Sequence, residues 1–155
     1  MKILLVCSAG GHFKVMRELE HFWASHERVW VTFETSSSQI LLKDEKVFWA
    51  WSPTNRHLPN LIRNLRLAWK VVRSEKPDLI LSTGAGVAVP FIVLGHFLGI
   101  KTAFVESITR VDDLSLSARL AYPLLDALYV CWPELAAKYP KAEAITSRSQ
   151  AQEVT

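Results

Sequence analysis

Residues 2–12, KILLVCSAGGH, decide the fold, because an apolar run of strand length ends there in a turn of small residues with two adjacent glycines. Residues 13–23 then place apolar side chains three and four positions apart, which predicts a helix. The same order recurs at residues 78–98, where an apolar run precedes the turn STGAG (82–86) and a second helical stretch. Strands that alternate with helices predict an α/β domain with a parallel, doubly wound sheet and helices on both faces.

The rest of the chain follows the same alternation. Further strands are predicted at residues 28–33, 46–51, 101–105 and 127–130, and further helices at residues 61–73 and 115–125. Half of the 155 residues are apolar, so the chain can form one domain with its own core. We expect this domain to span residues 1–144 and a polar C-terminal tail to span residues 145–155.

Composition excludes several classes of protein. The 18 basic residues exceed the 15 acidic residues by only three, which does not indicate a nucleic-acid partner. Cys7 and Cys131 lie far apart without metal-ligand spacing, so we expect a reducing compartment. We expect no metal site and no cofactor. The longest apolar stretch, residues 87–100, is too short and too interrupted to cross a bilayer, so any membrane contact is expected at the surface of a cytoplasmic protein.

One predicted helix carries the basic character of the chain. Between Arg56 and Lys76 there are six basic residues and one acidic residue, Glu75. The helical repeat places basic side chains on one stripe and apolar side chains on another, with Leu67 and Val71 beyond them. The basic stripe consists of Arg63, Arg66, Lys70 and Arg73. The apolar stripe consists of Leu61, Leu65, Trp69 and Val72.

This pattern predicts peripheral docking on an anionic membrane surface. The predicted docking residues are Arg63, Arg66, Trp69, Lys70 and Arg73. The alternative interpretation is the solvated face of an ordinary core helix, which would carry the same charges.

Three segments that follow predicted strands should meet at one edge of the sheet, namely residues 8–12, 82–86 and 106–110. Glycines in two of them let backbone N–H groups approach an anion, and helix N-termini add a favourable dipole. These glycines are Gly10, Gly11, Gly84 and Gly86. The pattern indicates a crevice for a pyrophosphate-bearing ligand, although tight turns without a ligand would require glycines too.

His12 and Glu106 are the candidate catalytic residues in this crevice. His12 follows the first glycine turn, where its imidazole could hold or take a proton, although a capping or surface histidine is the alternative. Glu106 ends a buried strand, so its carboxylate needs a partner, either a sugar hydroxyl or nearby Arg110.

Several motifs in fixed order resemble the PssD-type polysaccharide biosynthesis proteins over roughly residues 1–143. The motifs are SAGGH (8–12), TNR (54–56), KPDLILSTGAG (76–86), VES-x-x-R (105–110), Asp126, WPEL (132–135) and KYPKA (138–142). This family includes the membrane-anchor subunit of the eukaryotic transferase that adds the second N-acetylglucosamine to dolichol. More distantly, the chain is similar to the N-terminal domain of MurG.

The resemblance implies a Rossmann-like fold that forms the N-terminal half of a GT-B glycosyltransferase. It implies that Gly10, Gly11 and His12 face the pyrophosphate of a lipid-linked acceptor, as do the residues of the second turn. The implied second-turn residues are Thr83, Gly84 and Gly86. Glu106 and Arg110 would face the catalytic cleft.

The expected function is therefore the acceptor-binding, membrane-docking subunit of a split UDP-sugar glycosyltransferase in exo- or capsular polysaccharide synthesis. Its acceptor would be a polyprenyl-pyrophosphate-linked saccharide at the inner face of the cell membrane. A separate donor-binding subunit would supply the UDP-sugar, and either His12 or Glu106 would be the base.

Two alternatives stay open from the sequence. A dinucleotide-dependent oxidoreductase would need an acidic ribose ligand about twenty residues beyond its glycine turn, and Glu34 is the nearby candidate. In that case Val89 would stand where a third glycine or alanine normally allows close helix packing. The other alternative is a noncatalytic scaffold that only recruits the catalytic subunit.

Overall fold

The apolar run near the start of the sequence forms an inner strand, the third in order, of a seven-stranded sheet. The computed structural model describes residues 1–145. Its strands are β1 Lys2–Cys7, β2 Glu27–Phe33, β3 Val47–Ala50, β4 Leu79–Gly84, β5 Lys101–Val105, β6 Ala127–Val130 and β7 Ala142–Ala144. Every neighbouring pair is parallel, in the order β3-β2-β1-β4-β5-β6-β7. The predicted Rossmann-like, doubly wound sheet is confirmed.

Helices cover both faces of this sheet. They are α1 Gly11–Glu18, α2 Glu20–Trp23, α3 Ser36–Leu41, α4 Leu58–Glu75, α5 Ala88–Phe97, α6 Leu116–Ala121 and α7 Pro133–Lys138. Because side chains alternate along a strand, Ile3 and Leu5 of β1 pack with α1 and α2, whereas Leu4 and Val6 pack with α4 and α5. Burial of β1 on both faces explains its continuous apolar sequence.

β1 is also the strand at which the order of the sheet reverses, since the chain proceeds outward from it to β2 and β3 and later to β4 through β7. Loops on the two sides of such a switch point diverge at the carboxyl ends of the strands and leave a crevice between them. The loops after β1 and β4 therefore form its two walls.

The helix predicted at residues 61–73 is longer in the structure, from Leu58 to Glu75. At its start, the backbone N–H of Asn60 donates to Nδ1 of His57 at 3.2 Å, and Pro59 lies in the first turn. The helix ends at Lys76, whose φ of 48° is left-handed.

Other elements differ from the sequence prediction mainly in length. The helix predicted at residues 13–23 is divided at Leu19 into α1 and α2, and that predicted at 115–125 stops at Ala121 and continues as a 3-10 turn. The short elements α3, α7 and β7 are absent from the sequence prediction. They have three to six residues each, too few to display a hydrophobic period.

The buried carboxylate of Glu75 links the C-terminus of α4 to Lys2 of β1 and to Lys46, which precedes β3. Glu75 contacts the Lys2 amine at 2.8 Å and the Lys46 amine at 2.6 Å. Burial acts to raise the pKa of Glu75, but hydrogen bonds from both lysines outweigh it and lower that pKa.

The C-terminal end of the described chain continues the sheet, because the N–H of Ile145 donates to the carbonyl of Val130 at 2.7 Å. The rest of the predicted tail, residues 146–155, lies outside the described residues. Within residues 1–145, no helix combines the length and the apolar character needed to span a bilayer.

Candidate functional site

The three segments predicted to meet do lie side by side, because β1, β4 and β5 are neighbours in the sheet. Cys7 pairs with Gly84, and Ser82 pairs with Phe104, so the three strands end at a common edge. The segments after these strands therefore line one crevice.

His12 is fixed between the first two of these segments. Its Nδ1 lies 2.9 Å from the carbonyl oxygen of Thr83, and the Thr83 hydroxyl donates to the carbonyl oxygen of His12 at 2.6 Å. A carbonyl oxygen only accepts hydrogen bonds, so Nδ1 carries the proton in this contact. Nε2 then has the free lone pair and can accept a proton from a ligand.

The first glycine turn is open. Gly10 has a φ of 73°, and a Cβ added at Gly10 or Gly11 would meet no atom within 4 Å. Helix α1 begins at Gly11 without a side-chain cap, so its first backbone N–H groups are free for a ligand. These two glycines retain the features expected of an anion-binding turn.

The residues of the second glycine turn differ in their contacts and exposure. The N–H of Gly84 already donates to the Ser82 hydroxyl at 3.1 Å, and Thr83 is only 1% exposed. The Thr83 hydroxyl and the Gly84 N–H thus both donate inside the protein and are not directed to the predicted ligand. Gly86 is half-exposed and lies against the Thr54 side chain, where an added Cβ would come within 3.3 Å.

The loop between β3 and α4 forms a further wall of the crevice through this contact between Thr54 and Gly86. Two buried asparagines of α4 hold the loop in place. Asn64 accepts from the Trp51 N–H at 2.9 Å and donates to the Trp51 carbonyl at 3.0 Å. Asn60 donates to the Pro53 carbonyl at 2.9 Å.

Sequence reasoning missed Asn60 and Asn64. The available signal was their spacing of four residues on the side of the helix that also bears Ala68 and Val71, which are buried. A polar side chain on a buried helical face requires a hydrogen-bond partner, which here is the loop.

Glu106 is 2% exposed, and hydrogen-bond donors occupy both carboxylate oxygens. Oε1 accepts from the Ser107 N–H at 2.9 Å, and Oε2 accepts from the N–H and the hydroxyl of Ser115, each at 2.9 Å. Of the two partners left open for Glu106, the ion pair with Arg110 is wrong: Arg110 is exposed, and Ser115 at the start of α6 donates to the carboxylate. Glu106 thus fixes the loop between β5 and α6, and its role as a base stays a prediction.

The two cysteines differ in environment. Burial raises the pKa of the Cys7 thiol to about 12, which makes it a small apolar core residue. Burial and the nearby Glu106 charge raise the pKa of Cys131. Among residues 1–145, no three His, Cys, Asp or Glu side chains are grouped as metal ligands.

Glu34, which the oxidoreductase alternative requires, follows the end of β2 beside β1. It is exposed and accepts a hydrogen bond from the Gln39 side chain at 2.8 Å. Its place in the sheet suits a ribose ligand, but the turn after β1 has adjacent glycines rather than the spaced glycines of dinucleotide-binding proteins.

The surface of α4 differs in part from the predicted stripes. Val71 and Val72 are buried against the sheet, because they lie on the inner side of the helix, so placing them on the outer apolar surface is wrong. The outer side is nonetheless more apolar than predicted, and Trp69 is 48% exposed. The exposed apolar residues of α4 are Leu58, Leu61, Ile62, Leu65 and Trp69.

All of the predicted basic docking residues of α4 are exposed beside this apolar surface. Two of them stack on tryptophans, with the Arg63 guanidinium 4.9 Å from the Trp51 ring centroid and that of Arg73 5.0 Å from the Trp69 centroid. We call the exposed residues 58, 61–63, 65, 66, 69, 70 and 73 the docking surface.

Comparison with known proteins gives a family match and several relatives. The model of the family described as "Oligosaccharide biosynthesis protein Alg14 like" matches residues 52–147. The human UDP-N-acetylglucosamine transferase subunit ALG14 is 38% identical over 87 residues, and its Schizosaccharomyces pombe counterpart is 46% identical over 74. These alignments cover 52% and 44% of this chain, but only 40% and 35% of the relatives' own length. The mouse protein of the same name is 28% identical over 92% of this chain and 80% of its own.

Solved structures of low sequence identity share the fold. MurG of Acinetobacter baumannii matches with a TM-score of 0.67 at 15% identity, over 87% of this chain and 43% of MurG. The UDP-GlcNAc 2-epimerase of Methanocaldococcus jannaschii matches with a TM-score of 0.73 at 14% identity, over 94% of this chain and 45% of that chain. The galactosyltransferase WaaB matches with a TM-score of 0.67 at 12% identity, over 93% of this chain and 45% of WaaB.

Proposed function

This chain belongs to the Alg14-like family of oligosaccharide biosynthesis proteins, and from that premise we propose that it is the acceptor-binding subunit of a two-subunit UDP-sugar glycosyltransferase. One observation carries the proposal. The chain has the fold of one half of MurG and of WaaB, and it aligns with 43% and 45% of those chains. The similar human and yeast proteins are also named as transferase subunits. A transferase built from subunits needs a second chain, and we infer that this second chain is the donor-binding partner.

The crevice at the switch point binds the acceptor. Free N–H groups at the start of α1 and the open glycines Gly10 and Gly11 suit the pyrophosphate of a polyprenyl-linked saccharide. Arg110 is exposed at the third segment and adds positive charge at the mouth. We also propose that the acceptor is of this polyprenyl-linked class and that the chain acts in exo- or capsular polysaccharide synthesis, as PssD-type proteins do.

His12 is the better placed of the two candidate bases. Its Nε2 has a free lone pair, whereas both Glu106 oxygens already accept hydrogen bonds. As the acceptor hydroxyl oxygen forms its bond to the anomeric carbon, its proton moves to Nε2. The bond between that carbon and the donor phosphate breaks, UDP leaves with the electron pair, and the configuration inverts. Glu106 acts indirectly by fixing the loop between β5 and α6.

The docking surface brings this crevice to a lipid-linked acceptor. Four basic side chains at about 1 kcal/mol each give weak attraction to an anionic leaflet, and the exposed leucines, isoleucine and tryptophan of α4 add apolar insertion. The proposed location is peripheral, at the cytoplasmic face of the cell membrane.

Reconstitution of the complex tests the proposal. The tagged chain is used to purify its partner, and transfer from radiolabelled UDP-GlcNAc to a polyprenyl-pyrophosphate-linked N-acetylglucosamine is measured. We expect His12→Ala to lower kcat by about a hundredfold or more, the usual contribution of a positioned base. Replacement of the exposed His21 is the matched control.

Unchanged transfer by the His12→Ala complex would contradict the catalytic assignment and leave the scaffold alternative. Tight NADH binding by the isolated chain would instead favour the oxidoreductase alternative, for which Glu34→Ala is the matched variant.

A further inference from the structure

We propose that Thr83 and Gly84 are positioning residues that hold the His12 imidazole in its Nδ1–H tautomer, and that they do not themselves bind the substrate. The value of this tautomer for catalysis rests on the proposed function, since only then does Nε2 receive a proton from the acceptor. The tautomer itself is a property of the isolated chain and can be measured without any transfer reaction.

The first support is a reciprocal pair of hydrogen bonds between residues 71 positions apart. Nδ1–H of His12 donates to the Thr83 carbonyl at 2.9 Å, and the Thr83 hydroxyl donates to the His12 carbonyl at 2.6 Å. The second bond fixes the backbone of His12, and the first fixes its ring. Neither the hydroxyl nor the carbonyl of Thr83 is then free for a ligand, in keeping with the burial of this residue.

The second support is the space that Gly84 leaves for the ring. A Cβ added at Gly84 would lie 2.6 Å from Nδ1 and 2.7 Å from Cε1 of His12, distances that real Cβ atoms essentially never show. The Gly84 N–H is engaged with Ser82 and not directed to an anion. Glycine is thus required at this position for two reasons: its φ of 129° is one that residues with a side chain rarely adopt, and the imidazole occupies the volume of a side chain.

Thr83 and Gly84 together fix the tautomer and the position of the His12 imidazole. The carbonyl before Gly84 determines which ring nitrogen is protonated, and the missing Cβ determines where the ring lies. A free histidine in water prefers the Nε2–H tautomer, in which Nε2 cannot accept a proton. The contact with Thr83 reverses that preference.

Nitrogen-15 NMR of the neutral imidazole tests the inference. In the isolated wild-type chain, long-range proton–nitrogen spectra should show His12 predominantly as the Nδ1–H tautomer. Gly84→Ala should displace the ring and shift the population toward Nε2–H. Gly99→Ala is the control for an alanine at a positive φ, which is 129° at Gly84 and 74° at Gly99, because no atom lies within 4 Å of the Cβ added at Gly99. It should leave the His12 spectrum unchanged.

Thr83→Val and Thr83→Ser provide a second pair in case Gly84→Ala does not fold. Valine removes the hydroxyl bond to the His12 backbone at similar volume, and serine restores it. In the reconstituted complex, Gly84→Ala and Thr83→Val should lower kcat at least about tenfold, and the KM for the UDP-sugar should stay constant because the donor binds to the partner. Thr83→Ser should recover most of the rate.

The results separate this inference from the proposed function. A wild-type His12 that is mainly Nε2–H, or one whose tautomer is unaffected in Gly84→Ala, would overturn the inference. If the tautomer shifts as expected but His12→Ala does not slow transfer, the positioning is correct and the proposed role of His12 as a base fails.

Discussion

Glu106 has the carboxylate of a candidate catalytic base, but its hydrogen bonds are those of a structural residue. Its carboxylate ends a buried strand, as a catalytic acid or base often does, but three donors at 2.9 Å surround it. In Glu106→Gln, the amide NH₂ would face a donor from Ser107 or Ser115. We expect a loss of about 2 kcal/mol in the free energy of unfolding, measured by urea denaturation.

Ser115→Ala is the control for this variant, since it removes only the hydroxyl contacts and retains the backbone donor. If Glu106→Gln leaves the unfolding free energy unchanged but abolishes transfer, the carboxylate would be the base rather than a structural group.

Glu75 makes the stability of the chain depend on pH. Its pKa in the folded chain lies below its usual value, despite burial, because Lys2 and Lys46 donate to it. A lowered folded pKa means that the stabilisation is complete above the unfolded pKa of about 4.3 and is lost as pH falls through the lower folded value.

We therefore expect Glu75→Gln to cost about 1 to 3 kcal/mol at pH 7, and to flatten the decline in unfolding free energy below about pH 4.3. Urea denaturation at several pH values between about 3 and 7 would measure this change in unfolding free energy. Glu27→Gln, at an exposed partner of Lys2, should change the slope little. Parallel acid limbs for wild type and Glu75→Gln would contradict the assignment.

At the scale of an element, α4 forms two functional surfaces. Its outer side is the docking surface, and we expect Arg63→Glu, Arg66→Glu and Lys70→Glu together to abolish sedimentation with vesicles containing phosphatidylglycerol. Three reversals replace attraction by repulsion at about 1 kcal/mol per charge. Reversal of Lys14, Lys43 and Lys101, which are exposed elsewhere, is the matched control. Equal loss of binding in both triple variants would indicate a nonspecific effect of net charge.

The inner side of α4 holds the crevice loop through Asn64, which is 1% exposed. Asn64→Ala removes both hydrogen bonds to the Trp51 backbone. We expect a loss of about 1 to 3 kcal/mol in unfolding free energy, together with slower transfer because Thr54 is no longer held against Gly86. Asn55→Ala, at an exposed position of the same loop, should cost less than about 0.5 kcal/mol. Full activity of Asn64→Ala would show that the loop has no part in the crevice.

At the scale of the whole molecule, the proposed division of labour predicts that the purified chain alone transfers no sugar from UDP-GlcNAc to a lipid-linked acceptor. The donor would bind to the partner, so activity should appear only when both subunits are mixed. A radiochemical transfer assay at increasing partner concentration measures this, and heat-denatured partner is the control. Substantial turnover by the chain alone would contradict a split enzyme.

The sequence alone predicts the order of the major elements and the meeting of the crevice segments. This is possible because β1 and β4 are buried on both faces and each ends in a glycine turn, which are local signals. Contacts such as Thr83 with His12, Asn64 with Trp51 and Ser115 with Glu106 could not be predicted, because they depend on how the chain folds back. The exposure of the α4 apolar residues likewise required the structure, since periodicity alone does not say which stripe faces the sheet.

The position of β1 between β2 and β4 also has a consequence for biosynthesis. Ile3 of β1 pairs with Leu79 of β4, so one edge of β1 has no partner strand until residues 79–84 have left the ribosome. That edge belongs to a strand with five fully buried side chains in the folded protein, so before β4 is made the chain is prone to nonnative association. Demand for chaperones should therefore rise once β1 has left the ribosome and fall once β4 has emerged.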